Sequence, residues 1–184
     1  MNMIASSGQL RAGYIRWALL FVPAIVLLGL LSSQFAGSGP ENPWYIALRK
    51  PDVYPPAALF GVVWTILYGL MGFALAMVVA ARGAPLRALA VILFLIQLVM
   101  NLAWSPVFFG AHEITWALVL IIALDIAVLL TIIAFWKVRV LAALLLLPYL
   151  AWILFATYLT WQIRDANIML DGQDVSGAVE RFEF

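Results

Sequence analysis

Cysteine is absent from the 184 residues, and histidine occurs once, as His112. Disulfides and thiolate metal sites are therefore excluded, and a His-rich metal centre has no basis. Charge is scarce as well. Only 10% of the residues are Asp, Glu, Lys or Arg, against about 25% in an ordinary soluble domain. That leaves too little polar surface to cover a water-soluble globule. The net charge of +1 offers no basic face to nucleic acid. No hydrolase triad, metal cluster or phosphate-cradling loop is present. What the chain does have is apolar length: 66% hydrophobic residues and a mean hydropathy of +1.08.

Five apolar runs stand out, at 17–36, 57–81, 88–111, 114–136 and 140–163. Each approaches or exceeds the roughly 20 residues a helix needs to cross the hydrocarbon core. Asp125 is the one charged residue within them. The runs do not alternate in polarity as barrel strands do. The expected fold is an all-α integral membrane protein, a bundle of five transmembrane helices forming one domain over residues 1–167. Arg11 and Arg16 before the first run resemble the start of a signal peptide. That run is long enough to span and no small-residue cleavage site follows, so it reads as a retained helix.

The connections are uneven. Residues 82–87, 111–113 and 137–139 are short turns, whereas 37–56 is long. It carries Pro40, Pro43, Pro51, Pro55 and Pro56 together with Trp44, Tyr45 and Tyr54. Prolines fix a shape, and adjacent spans need only a few linking residues, so this first loop reads as a folded cap. Residues 168–184 read as a polar, acidic, mobile tail. Lys and Arg are more frequent in the N-terminal, second and fourth flanks. That bias places the N-terminus in the cytoplasm and the first loop and C-terminus outside.

Within the third run, Gln97, Asn101, Trp104 and Phe108 are spaced i, i+4, i+7, i+11. On a helix this sets two amides and two aromatics along one stripe. Inside a membrane those amides must face protein, or something the protein holds. Alternating spans place Trp64, Asn101, Trp104 and Trp161 in one half of the bilayer, beneath the long loop, with Tyr68 one turn deeper than Trp64. A lipid-interface belt accounts for Trp17, Trp44, Trp116 and Trp136. It suits Trp161 moderately and Trp64 poorly, and it leaves Asn101 unexplained. Asn101 has two open readings, a bond gluing helices together or a pocket wall. Indole-lined pockets suit a large, flat, apolar ligand whose carbonyl or carboxylate an indole N–H can reach. Arg49 and Lys50 then either meet acidic groups at the rim or snorkel at the interface. Asp125, in mid-span, is a functional candidate because a carboxylate there is costly. Its alternative reading is a protonated group bonded to a neighbouring helix or subunit. Small residues Gly69, Gly72 and Ala76, or Ala123 and Ala127, offer two surfaces for close helix packing.

At these residues the chain resembles the TspO/MBR family, the bacterial tryptophan-rich sensory proteins and the mitochondrial translocator (peripheral-type benzodiazepine receptor) proteins. The resemblance runs from about Trp44 to Asn167. It rests on Trp44-Tyr45, Lys50-Pro51 and Pro55-Pro56; on Trp64-x3-Tyr68; on Gln97-x3-Asn101-x2-Trp104-Ser105-Pro106; and on Pro148-Tyr149-x2-Trp152-x2-Phe155-Ala156-Thr157-Tyr158. It implies a homodimer that binds porphyrins such as protoporphyrin IX and haem, benzodiazepine-type drugs and sterols, in a pocket under the first loop. The implied ligand contacts are Tyr45, Trp64, Tyr68, Asn101, Trp104 and Trp161, with Ala156 at a wall where bulk would disturb binding. No obligatory cofactor or metal is implied; the porphyrin is a ligand. The expected role is a receptor or sensor in a bacterial cell membrane. The alternatives are light-dependent porphyrin breakdown through Trp64 and Trp161, and transport of tetrapyrroles or sterols. The chain departs from many relatives at Thr160, where they have Asn, and at Arg164, where they have Trp.

Overall fold

The computed structural model describes residues 7–173. Among these, every regular element is helical. The elements are α1 (Ser7–Phe35), α2 (Pro43–Ala47), α3 (Ala57–Ala80), α4 (Arg87–Ser105), a π-helical turn (Pro106–Gly110), α5 (Ile114–Val138), α6 (Val140–Leu145) and α7 (Leu147–Ala166), then a 3₁₀ turn (Ile168–Leu170). They supply five stretches long and apolar enough to cross a membrane: Gly13–Phe35, Ala57–Ala80, Arg87–Gly110, Ile114–Val138 and Val140–Ala166. The fifth runs three residues past the expected end at 163. It is also broken at Leu146, because Pro148 lacks the N–H that would bond back one turn.

α1 packs chiefly on α3, α4 on α5, and α5 on α7, with α6 against α3. Met71, Phe94, Leu124, Phe135 and Tyr149 fill the shared core. Leu19, Leu27, Ile66, Val99, Ile126 and Leu154 are exposed on the outside of the bundle, as spans surrounded by lipid require. Gly72 has the backbone of Val22 so close that an added Cβ would lie 2.6 Å from its Cα. Of the small residues named above for close helix packing, Gly72 therefore serves the α1–α3 contact.

The first loop is folded. Asn42 caps α2, its Oδ1 accepting from the Tyr45 N–H at 3.1 Å, and Pro43 occupies the first turn. Trp44 is buried. It stacks on His112 at 4.7 Å, meets Phe108 edge-on at 5.4 Å, and donates through Nε1 to the Leu170 carbonyl at 3.3 Å. Asn167 bonds both ways with the Arg49 backbone, at 2.8 Å each.

The expectation of a mobile tail from residue 168 is corrected as far as Gln173. The first N–H groups of α5 have no intrahelical acceptor, and Glu113 gives them no side-chain cap. Asp171 supplies it instead: its carboxylate accepts from the Ile114 N–H at 2.6 Å and the Thr115 N–H at 3.2 Å, and from the Thr115 hydroxyl. Residues 174–184 of that tail lie outside the described residues.

Candidate functional site

The amide stripe of α4 faces inward. Gln97 and Asn101 are 1% and 5% exposed. They belong to one chain of hydrogen bonds crossing three spans. The Tyr68 hydroxyl donates to Asn101 Oδ1 at 2.8 Å. Asn101 Nδ2 donates to the Tyr149 hydroxyl at 3.0 Å, which in turn donates to Gln97 Oε1 at 3.0 Å. Gln97 Nε2 ends the chain without a partner. Asn101 thus does both things proposed for it: it joins helices, and it lines a cavity.

Beyond Asn101 the stripe meets Pro106, which has no N–H to donate. The backbone bonds shift to wider spacing there, with the Ala111 N–H reaching the Pro106 carbonyl at 2.8 Å. Trp104 and Phe108 remain stacked across this turn, 4.9 Å apart and 11° from parallel. The Trp104 indole N–H is already engaged, donating to the Ala117 carbonyl at 3.1 Å. Trp104 therefore offers a ring face and no free donor.

Beneath the cap lies a cavity of about 330 Å³. Tyr45, Tyr54 and Phe109 form its roof, and Phe60, Trp64 and Tyr68 one wall. Asn101, Trp104 and Phe108 supply a second wall, and Leu124, Ile153, Ala156 and Thr160 a third. Gly29 and Ser33 complete it from α1. At Gly29 the Tyr68 ring occupies the place of a side chain: an added Cβ would lie 2.1 Å from its Cε2. The volume falls within the range of small-molecule sites, and the lining is largely aromatic with one buried amide.

Six of the seven residues expected to contact a ligand line this cavity: Tyr45, Trp64, Tyr68, Asn101, Trp104 and Ala156. Trp161 does not. Ala156, Thr160 and Ile163 follow the i, i+4, i+7 rule along the cavity face of α7, and residue 161 falls on the opposite side. Its ring is 49% exposed and tilts against Tyr158 at 6.2 Å. That is the disposition of an interface-belt tryptophan. Trp152, one turn before Ala156, falls on the same side of α7 as that residue but does not itself line the cavity; it stands behind the lining residue Phe60. It meets Phe60 edge-on at 5.6 Å, and its Nε1 is buried with no partner. The i, i+4 spacing of Trp152, Ala156 and Thr160 was the available signal.

The roof is polar at one edge. The Tyr45 hydroxyl donates to that of Tyr54 at 2.8 Å. Burial pushes both phenols up from their usual pKa. Lys50 lies over the Tyr45 ring, its Nζ 4.1 Å from the centroid, and donates to the Tyr45 carbonyl at 2.7 Å. Desolvation lowers its pKa. It borders a second, outer hollow of about 290 Å³, which Tyr45 and Tyr54 separate from the inner cavity. Asp125 is not on the cavity surface; its Oδ2 accepts from Thr157 Oγ1 at 2.8 Å. Among the described residues, no group of three His, Asp or Glu stands ready for a metal.

A family model described as "TspO/MBR family" matches residues 21–165. The tryptophan-rich protein TspO of Chlorobaculum tepidum is 44% identical over 142 residues, 74% of this chain and 90% of that protein. The human translocator protein is 42% identical over 126 residues, 67% of this chain and 75% of its own length. A tryptophan-rich sensory protein of Cereibacter sphaeroides is 34% identical over 151 residues, 82% and 92% of the two chains.

Proposed function

This chain belongs to the TspO/MBR family, and from that premise we propose that it is a membrane receptor or sensor binding porphyrins, protoporphyrin IX or haem, in the cavity under its first loop, and that it regulates tetrapyrrole handling or a stress response. One observation carries the reading. A roofed hollow at the depth of the bilayer is walled by Trp64, Trp104 and Phe108, and it contains one fixed amide, Asn101. Flat conjugated rings stack on such walls. Trp152 stands behind Phe60 of that wall, and its buried unpartnered N–H would meet a ligand carbonyl, carboxylate or ring nitrogen once Phe60 turned aside. The acidic groups of a porphyrin would lie toward the roof, on the side where Lys50 is held. We further propose a homodimer in a bacterial cell membrane, with the N-terminus cytoplasmic, the cap outside, and sterols as lesser ligands.

The test is quenching of tryptophan fluorescence by added protoporphyrin IX. Trp64→Phe and Trp152→Phe are expected to weaken the titration, and Trp161→Phe to leave its midpoint unchanged. Unaltered midpoints in both of the first two variants would remove the assignment. Light-driven breakdown through Trp64 and Trp161 together receives no support from the geometry, since the two rings do not share the cavity.

A further inference from the structure

Asp125 lies at the middle of α5, on the flank that meets α7. Its Oδ2 accepts from Thr157 Oγ1 at 2.8 Å, and its Oδ1 is buried with no partner. The residues beside this pair in sequence, Leu124 and Ala156, both line the cavity. The pair therefore stands in the α5–α7 seam, behind that wall.

The neighbouring groups decide its charge. α4 and α6 carry no charged side chain near this level; Arg87 is at the far end of α4. On α7 the ionisable groups are Tyr149, Tyr158, Arg164 and Asp165. Arg164 is about 10 Å further along the helix from Thr157. It is engaged there with Asp165 at 3.3 Å and with the Thr115 hydroxyl. Lys137 is more than three turns along α5. No cation reaches Asp125 among the described residues, and an unpaired carboxylate in mid-bilayer costs several kcal/mol. Oδ2 is occupied as an acceptor, which leaves Oδ1 to carry a proton. The residue is partly exposed and does not line the cavity, so that exposure is to lipid; Oδ1 itself is buried, and a reagent must enter the seam beside it.

We propose that Asp125 is a neutral carboxylic acid with its proton on Oδ1, a proton-exchange site in the α5–α7 seam behind the cavity wall that apolar carbodiimides reach and modify from the bilayer. Loss of that proton would leave a bare charge in a dry seam. The seam must then part or take in water, and Leu124 and Ala156 move with it. Reaction with a carbodiimide uses the same proton. The acid O–H protonates a carbodiimide nitrogen, and the carboxylate oxygen bonds to the central carbon. The resulting O-acylisourea rearranges to a stable N-acylurea, and no atom is lost. Ionised carboxylates facing water lack the proton.

The full chain in phosphatidylcholine vesicles at neutral pH is treated with dicyclohexylcarbodiimide and mapped by mass spectrometry. A single adduct mass on the peptide holding Asp125 is expected, absent in Asp125→Asn and retained in Thr157→Val. Independently, infrared spectra of the untreated protein should show an acid C=O band that Asp125→Asn removes. An unmodified Asp125 peptide, or a carboxylate stretch in place of the acid band, overturns the proposal. Neither reading uses a porphyrin, so failure here leaves the ligand assignment standing. If Asp125→Asn does not fold, the adduct in the wild type and in Thr157→Val still decides the matter.

Discussion

Tyr45 and Tyr54 share one 2.8 Å hydrogen bond and stand as a partition, each lining both the inner cavity and the outer hollow beside Lys50. Their neutral forms are favoured by burial. A group whose pKa is higher folded than unfolded contributes stability below its unfolded value, about 10 for tyrosine, and that contribution is lost as pH rises further. The cap is therefore expected to loosen in strong alkali and to be unaffected by these groups in acid. Titration of phenolate absorbance should show one late-ionising tyrosine fewer in Tyr54→Phe than in the wild type. A full set of ordinary titrations would contradict the closed partition.

Ala156 projects toward open space, so a larger side chain there fills the hollow and leaves the bundle intact. Ala156→Leu is expected to weaken porphyrin binding by about 1–3 kcal/mol, roughly 5- to 150-fold. Its thermal midpoint should match the wild type. Lower stability with unchanged affinity would mean that the residue packs between helices.

The hydrogen-bond chain from Tyr68 to Gln97 predicts an order of severity. Tyr149→Phe strips partners from both Asn101 Nδ2 and Gln97 Oε1, leaving buried groups unpaired at about 1–3 kcal/mol each. Gln97→Leu removes an amide whose Nε2 has no partner already. It should be the milder change, measured as detergent-solubilised thermal unfolding. The reverse order would show that Tyr149 is not the hub.

Gly72 and Gly69 lie on the same helix and make opposite predictions. A Cβ at Gly72 would press into the Val22 backbone. Gly72→Ala is expected to cost about 1–3 kcal/mol through α1–α3 separation. A Cβ at Gly69 meets nothing within 4 Å. Gly69→Ala should leave the single chain as stable as before. If it disperses a dimer on cross-linking, the subunit contact runs past that residue.

The spans were legible because each apolar run outlasts the bilayer core, and the cap because prolines and aromatics cluster where a short linker would suffice. The inward stripe was legible from the 3.6 period of its amides. The side on which Trp161 lies was not, since α7 is apolar nearly all round and depth alone does not specify rotation. Spacing from Ala156 would have put Trp161 on the far side of the helix. The break at Leu146 follows from Pro148, but the continuous leucines around it carry no other sign of an interruption. Asp171 could not be foreseen as the cap of α5, because a capping residue normally precedes its helix, whereas this one follows it by a whole further span.

The bonds that close the roof join residues far apart in the order of synthesis: Trp44 to Leu170 across 126 positions, Arg49 to Asn167 across 118. The ribosome therefore releases the lid long before it makes the latch. Until the final helix has entered the bilayer, neither the latch nor the wall that this helix supplies is in place, so the hollow is the last part of the protein to be completed.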